Sequence, residues 1–444
     1  MNLTNGVKEI IKNLTINGYE AYAVGGAVRD FCLGKKIDDY DVTTSATPNE
    51  VLEVFKGYKT YLTGIKHGTI SVRACGELIE VTTFRTDGNY SDNRRPDTVK
   101  FVSSLKEDLK RRDFTVNAMA YNEESGIIDL FGGIEDINNK LIRAVGNPEE
   151  RFNEDALRIL RALRFASKLN FEIEPETKKA ILKCKNLLNT VAVERVFVEL
   201  IKILLGDGVE RVLLDFKEVF FTIIPELKSC DGFLQKSKYH DYDVYTHIVK
   251  SVANSKKDKL VRLSLLLHDV GKPECFSEDD EGVGHFFGHQ KKSAIITERV
   301  LERLKADNKT VKTVTKLVLL HDTRTELTRP EIKEFLRLNW IDFTYRLLDV
   351  KIGDAKAHNA MFIENRIKSI ERMKTIATEI IDNNECYTLK QLAVDGNDLK
   401  TVGFKGEKIK FILEKLLNLV INGKIENEKE VLLKSIKNDG RITK

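Results

Sequence analysis

Apolar and polar positions follow two different rhythms along this chain of 444 residues, and the change falls near residue 146. Before it, Ala21 to Val24, Thr69 to Val72, Leu78 to Phe84 and Thr98 to Val102 have the apolar and β-branched character of strands. Between them, Leu3 to Asn17, Ala27 to Leu33, Pro48 to Phe55 and Thr115 to Tyr121 read as helices. This mixture predicts an α/β head over residues 1–145. Beyond Gly146-Asn147-Pro148 the pattern is almost purely helical, and only seven prolines occur in the whole chain. The remainder is expected to be all-α, divided into a neck (146–228), a metal-site bundle (229–360) and a tail (361–444). Within ERFNEDALRILRALRFASKL, Ala156, Leu157, Leu160, Leu163 and Ala166 fall on one stripe of a single amphipathic helix. Leu263 to Leu267 predict an apolar helix that ends at His268-Asp269.

Composition adds bounds rather than a function. With 42% hydrophobic and 32% charged residues, the chain is globular with ample core. A net charge of +4 argues little for nucleic acid. Residues 401–444, however, hold ten Lys/Arg against six Asp/Glu, which suits phosphate contact at that end. Six scattered cysteines without a C-x-x-C pair read as free thiols in a reducing compartment. No secretory segment and no apolar run of about 18 residues is present, so the expected location is cytoplasmic, away from membranes.

The chemistry concentrates first at residues 24–41, VGGAVRDFCLGKKIDDYD. The turn at Gly25-Gly26 lets backbone approach a ligand, and the helix after it, carrying Arg29, offers amides to phosphate. Asp39 and Asp41, one residue apart, would face one side of a strand. Two hard carboxylates beside such a turn suit Mg²⁺ holding a nucleoside triphosphate. Glu80, in the strand IEVTTFR, could bring a third carboxylate, and three clustered carboxylates repel without a cation. The Asp-, Asn-, Gly- and Arg-rich stretch 85–101 reads as a long mobile loop, a lid beside the site. In RRDFTVNAMA, Arg111 and Arg112 supply donors for a triphosphate, and Asn117 sits inside the expected helix. Asp155 and Arg158, three apart on the amphipathic helix, would be neighbours able to read the edge of a base.

The ordered runs GGAVRD…DYD, FRTDGNYSDNRRPDTVKF, RRDFTVNAMA and GNPEERFNEDALRILRALRF resemble the bacterial class II tRNA nucleotidyltransferase and poly(A) polymerase family over about residues 20–205. The resemblance implies a polymerase β-type head in which Asp39 and Asp41 bind Mg²⁺, and Arg111, Arg112 and Asp113 lie near the incoming nucleotide. Glu154-Asp155 and Arg158 match the family's EDxxR motif, where the protein acts as template; Asp155 and Arg158 would pair with CTP and later ATP, with Arg161 in the same nucleotide site. The loop from Arg85 to Pro96 is kept, which in this family favours addition of the terminal A. Residues 392–433 look like the family's tail, which would grip the upper half of tRNA.

A second constellation lies in the middle. Six of the eight histidines fall between 240 and 321. His247, His268-Asp269, His289, His321 and Asp354, from separate helices, suit a divalent transition metal or a metal pair. His285 and Asp349 compete with His289 and Asp354 as ligands. The pattern H…HD-x-GK…H…H…D resembles the HD metal-dependent phosphohydrolase superfamily over about residues 243–360. That resemblance implies phosphoester hydrolysis, with Lys272 assisting at a phosphate, or a scaffold that has lost activity.

The expected function is therefore template-independent CCA addition to tRNA. Poly(A) polymerase and an A-adding tRNA enzyme are alternatives on the same head. A phosphohydrolase whose head merely binds RNA is the alternative of another class. A non-enzymatic RNA-binding module fits least, since clustered carboxylates repel phosphate.

Overall fold

The computed structural model describes residues 1–88 and 99–438. These form two compact units, one of residues 1–228 with 303–306, the other of 229–302 with 307–444. The first unit contains a seven-stranded mixed sheet built from β1 (Ala21–Val24), β2 (Asp41–Thr44), β3 (Lys59–Tyr61), β4 (Thr69–Ala74) and β5 (Glu77–Thr83). Two more of its strands follow later in the chain. A short ladder pairs β6 (Arg85–Asp87) with β7 (Val99–Phe101); the stretch 89–98 of the expected lid lies outside the described residues. The sheet is completed by β8 (Met119–Asn122) and β9 (Gly126–Asp129), in the order β3-β4-β5-β2-β1-β8-β9. Only β2 and β5 pair in parallel within it.

The two faces of this sheet have different fates, set by the period-2 alternation of side chains. Ala21, Ala23, Val42, Ile79 and Val81 point into a core shared with α1 (Asn5–Ile16) and α3 (Pro48–Val54). Tyr22 and Val24 point the other way, into a smaller cluster with Leu105 and Leu109 of α4 (Leu105–Lys110). Between β1 and β2 runs α2 (Gly26–Cys32). After the sheet come α5 (Gly133–Asn138) and a two-residue strand β10 (Leu141–Ile142), which pairs in parallel with β11 (Glu172–Ile173).

Two sequence expectations fail here. Thr115 to Tyr121 is not a helix: Thr115–Asn117 makes one 3₁₀ turn, and β8 follows at once. A short apolar run does not reveal its period, and β8 is held as a strand by its neighbours β1 and β9. Nor is 150–169 one helix. It divides into α6 (Pro148–Glu154) and α7 (Leu157–Leu169), with Asp155 extended between them at φ −136°, ψ 102°. The Asp155 carboxylate accepts from the Leu157 amide at 3.0 Å, as a capping residue does. The expected stripe is buried throughout: Ala156, Leu157, Leu160, Leu163 and Ala166 are at most 6% exposed.

The unit continues with α8 (Pro175–Cys184), α9 (Val193–Leu204), α10 (Val209–Asp215) and α11 (Lys217–Ile223). At Gly206, just past α9, a Cβ would fall 2.1 Å from Ser167 Oγ of α7, so only glycine allows this approach. The second unit is almost wholly helical. It carries α12 (Val244–Ala253), α13 (Lys259–Leu267), α14 (His289–Arg303), α15 (Asn308–Leu320), α16 (Arg329–Leu338) and α17 (Ile341–Ala355). The 23-residue α18 (Ala360–Asp382) and the smaller α19 (Gly396–Thr401), α20 (Glu407–Ile421) and α21 (Lys429–Asn438) complete it. Among its described residues the strands are confined to a hairpin of β12 (Ser277–Glu278) and β13 (Gly284–His285).

Candidate functional sites: a nucleotide cleft and a histidine cluster

The first cleft, about 930 Å³, is lined by Gly25, Gly26, Arg29, Asp39, Asp41, Arg111, Arg112, Asp113, Asn117, Asp155, Arg158 and Arg161. All of these were expected at a site from the sequence. Strand register explains the carboxylates. Val24 stands opposite Asp41 on one side and Glu80 opposite it on the other, so the glycine turn leaves the sheet directly beside the acids. Asp39 is not on the strand as expected but in the loop just before it, and it still reaches the same cleft. Burial, then repulsion from Asp39, raises the Asp41 pKa, which Arg112 partly offsets. Burial and the charges of Asp41 and Asp39 raise that of Glu80. Gly25 has φ +70°, and a Cβ there would meet Arg112 Nη1 at 3.1 Å.

A chain of polar contacts holds the cationic wall. Arg29 Nη1 donates to Asn117 Oδ1 at 2.6 Å, and Asn117 Nδ2 donates to Asp113 Oδ1 at 3.1 Å. Arg161 then donates twice to Asp113 Oδ2, at 2.8 and 2.5 Å. Against the opposing effect of burial, the Arg161 charge and these hydrogen bonds hold the Asp113 carboxyl down, at about 2. Arg111 and Arg112 converge on Asp108, which is fully buried: Arg111 Nη2 lies at 2.8 Å and Arg112 Nη2 at 3.4 Å. Thr43 Oγ1 also donates to Asp108, at 3.2 Å.

Asp155 and Arg158 are not paired with each other, because the helix breaks between them. Asp155 Oδ2 lies 3.3 Å from Arg195 Nη2 of α9. Arg158 donates to Glu154 Oε2 at 2.5 Å and to the Arg111 carbonyl at 3.0 Å. Each therefore reaches the cleft with its own support.

The second unit gathers every histidine and aspartate expected there. His247 of α12 lies 2.9 Å from Asp354 Oδ1 of α17. His268, after α13, lies 3.2 Å from Asp269 Oδ2 and 3.5 Å from Asp354 Oδ1. His289, which opens α14, and His321, after α15, approach Asp269 Oδ1 at 3.4 and 3.7 Å. The competing residues are excluded: His285 pairs with Asp279 at 2.7 Å in the hairpin, and Asp349 faces Lys256 and Lys374. Lys272 Nζ lies 2.7 Å from Asp269 Oδ2.

This arrangement could hold a cation. In each of the four rings Nδ1 faces a backbone carbonyl: Ala357 for His247, Leu265 for His268, Phe286 for His289 and Val318 for His321. A carbonyl only accepts, so Nδ1 carries the proton and the Nε2 lone pair points inward. Yet Nε2 atoms meet at 3.4 Å between His247 and His268, and at 3.3 Å between His289 and His321. Lone pairs facing one another and buried carboxylates repel unless a positive charge lies among them. With no metal among them, a proton supplies that charge at His268: against the lowering effect of burial, Asp269 and Asp354 pull its pKa up, to about 10.

Three family models match along the chain. Residues 21–143 match the poly A polymerase head domain, residues 170–230 the RNA- and SrmB-binding site of polymerase A, and residues 287–436 domain 2 of a tRNA nucleotidyltransferase. The CCA-adding enzyme of Enterococcus faecalis is 34% identical over 96% of this chain and 93% of its own length. The chain belongs to the CCA-adding enzyme family. Its Pediococcus pentosaceus relative, also a CCA-adding enzyme, is 36% identical over 97% of this chain and 96% of its own length. A crystal structure of the Bacillus stearothermophilus CCA-adding enzyme in complex with CTP superposes with a TM-score of 0.70, at 31% identity, covering 99% of this chain and 98% of that one.

Several residues of these sites carry little or no signal in the sequence alone. Asp108 is one, and its spacing of three and four from Arg111 and Arg112 is the pairing signal the sequence offers for it. Arg164 and Phe165 also line the first cleft, with the Arg164 guanidinium 4.4 Å above the Phe165 ring. In the second unit His240 and His358 join the cluster, their rings 4.9 and 5.3 Å from that of His247. Nothing in their local sequence marks them.

Proposed function

We propose that this chain adds C, C and A to the 3′ end of tRNA, using CTP and ATP and releasing pyrophosphate, without a nucleic-acid template. The observation that carries this reading is one cleft in which a carboxylate pair, one of them paired in strand register with a third acid, meets the arginines of the EDxxR segment, in a chain that matches CCA-adding enzymes almost end to end. Asp39 and Asp41, with Glu80 beside them, are the residues that would hold Mg²⁺. Their mutual repulsion in a partly buried site is what a divalent cation relieves. When bound, that ion activates the 3′-hydroxyl and neutralises the departing pyrophosphate.

The remaining work falls to the chain's own groups. Arg111 and Arg112, fixed by Asp108, and Arg29, fixed through Asn117, orient the triphosphate. The tRNA 3′-oxygen then attacks the α-phosphorus in line, and the bond to the β-phosphate breaks. Asp155 and Arg158 offer an acceptor and a donor to the base edge, held in place by Arg195 and Glu154. The 392–433 segment supplies the grip on tRNA. We place the reaction in the cytoplasm; among the described residues no helix is long and apolar enough to cross a membrane.

The test is incorporation of labelled CTP and ATP, separately and together, into tRNA lacking CCA. Addition of two C and one A, then arrest, is expected. An A tail without C would instead mean a poly(A) polymerase, and a single A only on tRNA ending in CC an A-adding enzyme.

The inward Nε2 atoms favour a second activity. We propose that residues 229–360 form an HD-type site in which His247, His268, Asp269, His289, His321 and Asp354 hold a divalent transition metal. Bound metal would supply an activated water for phosphoester hydrolysis, with Lys272 near the phosphate.

A further inference from the structure

We infer that Phe165 is a positioning residue for nucleotide addition: its ring gathers Arg29, Arg161 and Arg164 into one group that acts on the triphosphate. The inference rests on the reading of the head cleft as a nucleotidyl-transfer site. It goes beyond that reading by assigning Arg164 and Phe165, which the sequence motifs leave without a task. All three guanidiniums lie within the range at which a cation is drawn to an aromatic face. Arg164 Cζ is 4.4 Å from the ring centroid, Arg29 Cζ 5.2 Å and Arg161 Cζ 5.7 Å. Arg161 stands one turn before Phe165 on α7 and Arg164 directly precedes it, whereas Arg29 comes from α2. The ring is 6% exposed and packs edge-on against Phe114, the residue after Asp113, at 5.8 Å.

What the three cations share is this ring. Their carboxylate partners are separate: Asp30 of α2 lies 2.8 Å from Arg29, Asp113 2.5 Å from Arg161, and Glu199 of α9 3.2 Å from Arg164. Each acid fixes its own arginine, and the group as a whole has no common anion. Like charges at this spacing repel; burial first, and then the charge of Arg161, draws the Arg164 pKa down. An aromatic face offsets that repulsion, which an aliphatic side chain of similar volume could not do. The distinction matters for a triphosphate. A further carboxylate would repel it, whereas a ring keeps the cations together and leaves their charge for the ligand. Arg164 is placed for this role: it lines the cleft and directs Nε and Nη1 toward Glu199, at 3.2 and 3.4 Å, which leaves Nη2 for a ligand.

The test changes the charge distribution of the ring and keeps its shape. In the full chain Phe165 is replaced by mono-, di- and trifluorinated phenylalanine, which weaken the negative face step by step. KM and kcat for CTP and ATP are measured on tRNA lacking CCA, with thermal melts to verify the fold. KM is expected to rise with each fluorine, by roughly five- to tenfold for the trifluorinated ring. kcat should stay nearly constant, because the hold on the triphosphate weakens equally in the ground and transition states. Inhibition by pyrophosphate should weaken in parallel, while discrimination of CTP and ATP against UTP and GTP should hold. Phe165→Leu should show the raised KM and Phe165→Tyr should not. A KM independent of fluorination in folded protein would overturn the inference and leave the nucleotidyl-transfer reading standing. Absence of incorporation by the native chain would overturn that reading and the inference with it.

Discussion

At the scale of single residues, the head cleft sets stability against catalysis. Asp41 and Glu80 have raised pKa values, so their ionised forms destabilise the folded state above their ordinary pKa unless a cation is bound. Asp41→Asn should therefore melt no lower than the native protein without Mg²⁺, lose the stabilisation that Mg²⁺ confers, and cut incorporation roughly a thousandfold. Thermal melts with and without Mg²⁺ beside an incorporation assay check this; retained catalysis would refute the site. Asp113 is the opposite case. Its carboxyl sits at about 2 against an ordinary 3.8, a difference worth about 2 kcal/mol. A depressed carboxylate contributes its stability above the unfolded pKa and loses it as pH falls through the folded one. Native protein should thus lose that increment between about pH 4 and pH 2, and Asp113→Asn should lack it at neutral pH, as urea titrations at several pH values would reveal. Arg158→Ala should lower discrimination of CTP and ATP against UTP and GTP by roughly tenfold or more; unchanged selectivity would sink the protein-template reading.

At the scale of elements, α4 presents its arginines correctly only because Asp108 turns inward toward Thr43 of β2. Asp108→Ala would leave two guanidiniums around an empty buried position. The expected cost is about 3 kcal/mol, together with a raised KM for nucleotide, because Arg111 and Arg112 lose their common anchor. An unaltered KM in a folded variant would show that the arginines are positioned by something else. The α6–α7 break belongs to this scale as well. Its one sequence mark is an aspartate ahead of an apolar run, a familiar helix-start signal, outweighed by the continuous stripe that follows. β8 escaped for a related reason: four residues in the middle of a sheet take their conformation from β1 and β9, not from their own propensity.

At the scale of the whole molecule, two units carry two separate sets of side chains proposed to hold metal, and their chemistry should separate. Asp269→Ala should lose bound transition metal by elemental analysis while CTP and ATP incorporation persists. Loss of both would argue that the histidine cluster supports the polymerising activity rather than acting on its own. The order of motifs, the head–helical division and most of the side chains gathered in both clusters were legible in the sequence, because chemistry at a site demands particular residue types at spacings that periodic elements dictate. His289 over His285, and Asp354 over Asp349, could not be separated that way. Each pair lies only four or five residues apart, and the choice depends on which one a hairpin or a helix face carries inward. Arg195, His240 and His358 were likewise invisible, since their roles come from neighbours distant in the chain, whereas Asp108 was marked only by its spacing from Arg111 and Arg112. Local pattern records what a segment prefers and what atoms it can offer; convergence of those atoms in space is a property of packing, and that is where the supporting residues of both sites arise.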